Sequence, residues 1–181
     1  AIAYAMAVNR PASAFNGLTS TEVGGLSSTQ LKGLTAAQLG GISSTNLAGL
    51  TSDELSGLNS TQLNGFGTAN LSSLTTTQLS GLSSTQVGQL SAGNLSSLTS
   101  TQVQALTTTQ TAGLSATQLK ALSTADFAEL TSTQVGGLSA AQLGALSNAN
   151  LASLDSTTVQ GLTQTQLGGL TSTQFKGLSA A

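Results

Sequence analysis

With 181 residues, 38% of them hydrophobic, the chain can bury a core if its apolar residues are placed periodically. Only 6% are charged, four Lys and Arg against six Asp and Glu for a net charge of −2, so there is no basic face for nucleic acid or an anionic surface. There is no Cys and no His, which removes disulfides, thiol nucleophiles, imidazole bases and the usual zinc and copper ligands. The chain therefore reads as a protein that is not an enzyme, with no cofactor and no metal.

Residues 1–17 stand outside the repeat that follows. Ala1 to Val8 alternates small and large side chains, a strand pattern with Ile2, Tyr4, Met6 and Val8 on one face, and Asn9-Arg10-Pro11 supplies a turn signal. This apolar run is far short of the roughly 20 residues a helix needs to cross a bilayer, so no transmembrane segment is expected. Two roles fit the segment: a cap over one end of the repeat, or a strand that pairs with another copy of the protein. The chain does not begin with Met, so a processed product or a fragment is expected.

From Leu18 to the C-terminus the sequence repeats every eight residues, as in Leu26-Ser27-Ser28-Thr29-Gln30-Leu31-Lys32-Gly33, with twenty complete copies before a partial one at Leu178. The second octad position holds only Thr, Ser, Asn, Gly or Asp, the residues that favour a helix N-cap. Three residues later stand Gln or Glu in fourteen copies, Asn or Asp in five, and Thr158 in one. Ser/Thr-x-x-Gln/Glu is a capping box, and the apolar residues at the first and sixth positions, broken only by Thr111, form a hydrophobic staple around it. Each octad thus predicts a short helix, opened by its own cap and closed by the small residue, usually Gly, before the next Leu. A helix of that length is unstable alone, so stacking into a solenoid must supply the stability. On this reading Gln86→Ala removes half a box and costs about 0.5–1 kcal/mol.

A β-solenoid is the alternative, favoured by abundant Thr, Val and Gly. Apolar spacings of five then three, however, break the alternation that strands require. The number of octads per coil is set by weaker signals. Asn46, Asn70 and Asn94 lie 24 residues apart, as do Ser73, Ser97, Ala121 and Ala145, which suggests three octads per coil. Asp126 and Asn150 fall in another lane, and a coil of two octads stays open.

Reactive constellations are absent from the pattern. Asp53 and Glu54 are adjacent, point about 100° apart on a helix and read as solvated first-turn carboxylates. The serines have no activating base, and no glycine arrangement cradles phosphate. Asn59, Asn70 and Asn94 match the glycosylation acceptor pattern, and paired threonines such as Thr19 and Thr21, Thr99 and Thr101, or Thr131 and Thr133 could order surface water. The first Thr of each pair, however, is needed as a cap, and Phe66, Phe127 and Phe175 occupy core positions.

The octads Leu-Ser/Thr-x-x-Gln-Leu-x-Gly/Ala over residues 18–181 resemble the low-charge tandem repeats of long bacterial secreted surface proteins, among them adhesins and filament-forming proteins. That resemblance implies an extracellular or cell-surface setting and a spacer or fibre role. The functional expectation is a structural repeat protein, a fibre, stalk or filament subunit; an ice-binding or carbohydrate-binding solenoid is the alternative. Assembly is expected to run head to tail, with Ile2, Tyr4, Met6 and Val8 of one copy covering Leu170, Phe175 and Leu178 at the end of the next.

Overall fold

The computed structural model describes Pro11 and residues 17–178. The strand expected at Ile2, Tyr4, Met6 and Val8 falls outside the described residues. Within them, one helix forms per octad, twenty in all, from Ser20–Gly24 to Ser172–Leu178. There is no strand among the described residues, which overturns the β-solenoid alternative. The reason is local: each octad spends its polar side chains on capping a helical turn, which leaves no run of extended backbone to pair.

Octad Leu106–Gly113 shows the rule. Thr107 is extended (φ −70°, ψ 158°), and its hydroxyl accepts from the Gln110 backbone N–H at 3.1 Å. Gln110 Oε1 accepts in return from the Thr107 N–H at 2.9 Å. The same reciprocal pair forms at Ser27, Thr75, Ser115, Thr163 and the other octads with Gln at the fifth position. At Asn46, Asn94 and Asn150 no reciprocal box closes, and the helix start is held by the Ser cap bond. Gly67 stands where a cap belongs; with φ of +72° it turns the chain instead, and the helix Gly67–Ser73 opens without a side-chain cap.

The apolar first and sixth positions share one core that runs the length of the described chain. Leu31, Leu39, Leu55, Leu63 and Leu119 are completely enclosed, each contributing roughly 2 kcal/mol by burial. Thr111 lies wholly inside this core, and its hydroxyl is satisfied by donating to the carbonyls of Thr107 and Thr108.

Substantial helix–helix contacts all join a helix to the third one after it. Ser20–Gly24 packs on Ser44–Leu47, that helix on Gly67–Ser73, and the same lane continues through Ala92–Leu95, Ala116–Ala121, Ala140–Ala145 and Gln164–Gly168. Here the closing glycines acquire a role that differs from the one expected. Their backbone stays right-handed, as at Gly33 (φ −75°, ψ −8°) and Gly81 (φ −74°, ψ −15°), so no left-handed cap is made. Instead a Cβ on Gly49 would strike the carbonyl of Ser20, and one on Gly113 the carbonyl of Ser84. Glycine is needed because backbones of successive turns touch. No helix among the described residues is long and apolar enough to cross a membrane.

Candidate functional site

The glutamine of the capping box has a second task that lies across the stack. Gln62 Nε2 donates to the carbonyl oxygens of Leu34 at 2.7 Å, Lys32 at 3.0 Å and Leu31 at 3.2 Å, one turn of the solenoid below. They sit where a helix ends and the next octad begins, and Leu31 O, which already accepts from the Leu34 N–H, takes the amide as a second donor. One amide therefore caps the start of its own helix with its oxygen and the end of another with its nitrogen. Gln78, Gln86, Gln102, Gln110, Gln118 and Gln134 repeat the geometry, each donating to carbonyls 28 and 31 residues back. The four shorter amides still reach one group: Asn46 donates to Leu18 O, Asn70 to Ile42 O, Asn150 to Leu122 O, and Asn94 to Asn64.

Composition held a trace of this clasp. A capping box is served as well by Glu as by Gln, yet of the fourteen octads with either, only Glu22 and Glu54 are Glu. A carboxylate accepts but cannot donate, so the scarcity of Glu marks a donor requirement. Glu54 is buried rather than solvated: its carboxylate accepts from the Thr51 N–H and hydroxyl inside the box. Asp53, beside it, is exposed as expected.

At the C-terminal end of the described residues Val159, Leu167, Phe175 and Leu178 line an apolar cleft of about 180 Å³. Phe175 is 53% exposed, the one large apolar side chain so open among the described residues, which corrects its assignment to the core. Phe66 and Phe127 are buried as expected. Of the three residues expected at this end, Phe175 and Leu178 meet in the cleft, whereas Leu170 packs against the core without lining it. Their expected counterparts Ile2, Tyr4, Met6 and Val8 lie outside the described residues.

The outer surface carries the fourth octad position. Thr61, Thr85, Thr109, Thr133 and Thr157 recur every 24 residues and are all exposed, while Thr19, Thr99 and Thr131 are spent as caps. The amides of Asn59, Asn70 and Asn94 are all engaged, Asn59 as a cap and the other two across the stack. Hydrogen bonds from Thr19 hold the exposed Glu22 carboxyl below its ordinary value, and bonds from Thr158 do the same at Asp155. Among the described residues no three His, Cys, Asp or Glu are grouped so as to hold a metal ion.

Octads, caps and a stacked run of short helices define a tandem-repeat protein with a helical, solenoid-like architecture. The family model of the ALTTAQ repeat matches residues 116–148, a stretch that includes the octads beginning at Leu122, Leu130 and Leu138. No curated protein matches the chain.

Proposed function

We propose that the chain is a non-catalytic structural element, an extracellular or cell-surface fibre or stalk subunit, built with three octads to each turn and associating end to end with further copies. The observation that supports this reading is the interchangeability of the turns. Each presents upward a set of carbonyls and apolar side chains, and downward the amides and apolar side chains that complement them. Earlier sixth-position residues such as Leu71, Leu119 and Leu143 are fully enclosed, because a following turn covers them. Phe175 and its neighbours offer the same kind of surface uncovered. The apolar segment containing Ile2, Tyr4, Met6 and Val8 has the side chains to cover it in another copy, giving a heterologous contact that does not close on itself.

Sedimentation and negative-stain microscopy of the chain with and without residues 1–10 test this. Filaments from the full chain and folded monomers from the truncated one are expected. A full chain that stays monomeric at high concentration would sink the reading, and filaments of unchanged width from the truncated chain would move the contact to the sides.

The exposed Thr61, Thr85, Thr109, Thr133 and Thr157 support a second reading, an ice-binding or carbohydrate-binding face. It requires freezing-point hysteresis or retention on a polysaccharide column by the monomer, both abolished by Thr109→Lys.

A further inference from the structure

Above a described turn, the fifth position lacks a clasping donor at Glu54, Asp126 and Thr158, but only at Asp126 is the helix packing onto the turn below thin as well. In Leu122–Glu129 the clasp position is Asp126, whose carboxylate accepts from the Ser123 N–H at 3.3 Å and has no donor to offer Leu98 O, the carbonyl 28 residues back. The close glycine pairing is missing as well. Gln104 and Glu129 occupy the two positions that Gly88 and Gly113 fill where backbones touch, and their side chains make no hydrogen bond across the boundary. As a result the helices Ser100–Ala105 and Thr124–Ala128 are not in substantial contact, although they occupy stacked positions. Leu122 and Leu130 are only partly buried, and a small apolar hollow remains between them and Leu98, Val103 and Leu106, with Asp126 and Glu129 in its wall. From the turn above, a single amide reaches this octad, Asn150 donating to Leu122 O. Its other carbonyl corner, at Leu130, faces Thr158, which makes no such bond.

Another loosely packed boundary, between Ser60–Gly65 and Ser84–Gly88, shows the contrast. There Gln86 clasps the turn below, and Asn64 donates to Gln89 O at 2.9 Å and accepts from the Ser91 N–H at 2.7 Å. Polar bonds take over where packing is thin. At Leu122–Glu129 nothing takes over, and the segment is held by its apolar side chains, Phe127 foremost, which is 1% exposed.

We propose that octad Leu122–Glu129 is a release point, the segment that leaves the stack first under tension or mild denaturant while the turns on either side stay stacked. Local opening of this kind draws on regions with few buried contacts and unclasped backbone. In a fibre it would let one unit yield and free eight residues of chain before the solenoid unfolds. The proposal stands on the structure of this boundary alone and holds whether or not the chain polymerises.

Native-state hydrogen exchange read by mass spectrometry tests it. Amides in 122–130 should exchange about tenfold faster than those in 106–114, the factor expected for losing one or two net hydrogen bonds. The variant Asp126→Gln with Glu129→Gly, which rebuilds the regular octad, should bring the two segments to within about twofold. Equal protection in the parent chain, or a fast segment that the rebuilt octad leaves fast, would overturn the proposal.

Discussion

Leu106–Gly113 and Leu122–Glu129 are nearly the same octad up to the point where they meet their neighbours. Each opens with a hydroxyl cap, Thr107 or Ser123, and each closes a capping box, through Gln110 or Asp126. Each therefore forms its helix. They part only in the stack: Gln110 Nε2 donates to Leu79 O at 2.9 Å and to Leu82 O at 2.7 Å, whereas the Asp126 carboxylate has nothing to donate. Residue burial differs as well, with Leu106 and Leu114 enclosed and Leu122 and Leu130 partly open. Helix formation and clasping are thus separable properties of an octad, since the helix needs no donor at the fifth position and the clasp does.

The largest effect that tests this separation is in the core. Leu114→Ala should cost about 2–5 kcal/mol in denaturant unfolding, by leaving a cavity under full cover. Leu122→Ala, at a position already part open, should cost roughly half as much. Equal costs would mean that the octad of Leu122 is packed as tightly as its neighbour.

Next comes the clasp itself. Gln110→Glu keeps the acceptor for Thr107 and replaces a donor with an oxygen aimed at two carbonyls, so a loss of roughly 2–3 kcal/mol is expected. The same range applies to Gln86→Ala, above the half-box cost, because Gln86 Nε2 donates to Leu55, Ser56 and Leu58. Asp126→Asn should stabilise by no more than about 1 kcal/mol, since its amide would reach one carbonyl as those of Asn70 and Asn150 do. If Gln110→Glu proves as mild, the clasp is not what binds the turns together.

Glycines give a smaller and sign-changing test. Gly88→Ala would press a methyl into the Gly113 carbonyl and should cost about 1–3 kcal/mol. Gly136 ends the helix Ser132–Gly136 with open space around it, so Gly136→Ala should be neutral or stabilising by up to about 1 kcal/mol. The thermal unfolding midpoint should therefore fall for Gly88→Ala and hold level or rise for Gly136→Ala.

Acidification gives the least. The carboxyls of Glu22 and Asp155 are depressed in the folded chain, so their stabilising contribution is present above the ordinary carboxylate range and is lost as pH falls through their lowered folded values. Only a slight fall in unfolding midpoint is expected there, since both groups are exposed. Glu22→Gln and Asp155→Asn should flatten it.

Helix positions, their caps and the two apolar stripes were legible in the sequence because they depend on neighbours within eight residues. Thr107 and Gln110 are three apart, and no distant group is needed to explain why one follows the other. The double duty of glutamine was visible only as an unexplained preference for Gln over Glu, and its cause lies 28 to 31 residues away. The same holds for glycine: read locally it closes a helix, and in the stack it admits another backbone.

What the sequence determined by itself is therefore the unit, a capped turn of helix with Leu at both ends, since capping and the staple are bonds between residues that are already close. The tertiary structure alone decided how units are joined: which helix lies on which, where amides meet carbonyls, and why the octad of Asp126 is both unclasped and thinly packed. Those contacts pair groups about 24 to 31 residues apart. An octapeptide pattern repeated with so little variation carries almost no mark of which copy meets which. Physically, the choice falls to the backbone carbonyls at the end of each helix, which every copy exposes alike and which only a donor from the next turn can satisfy.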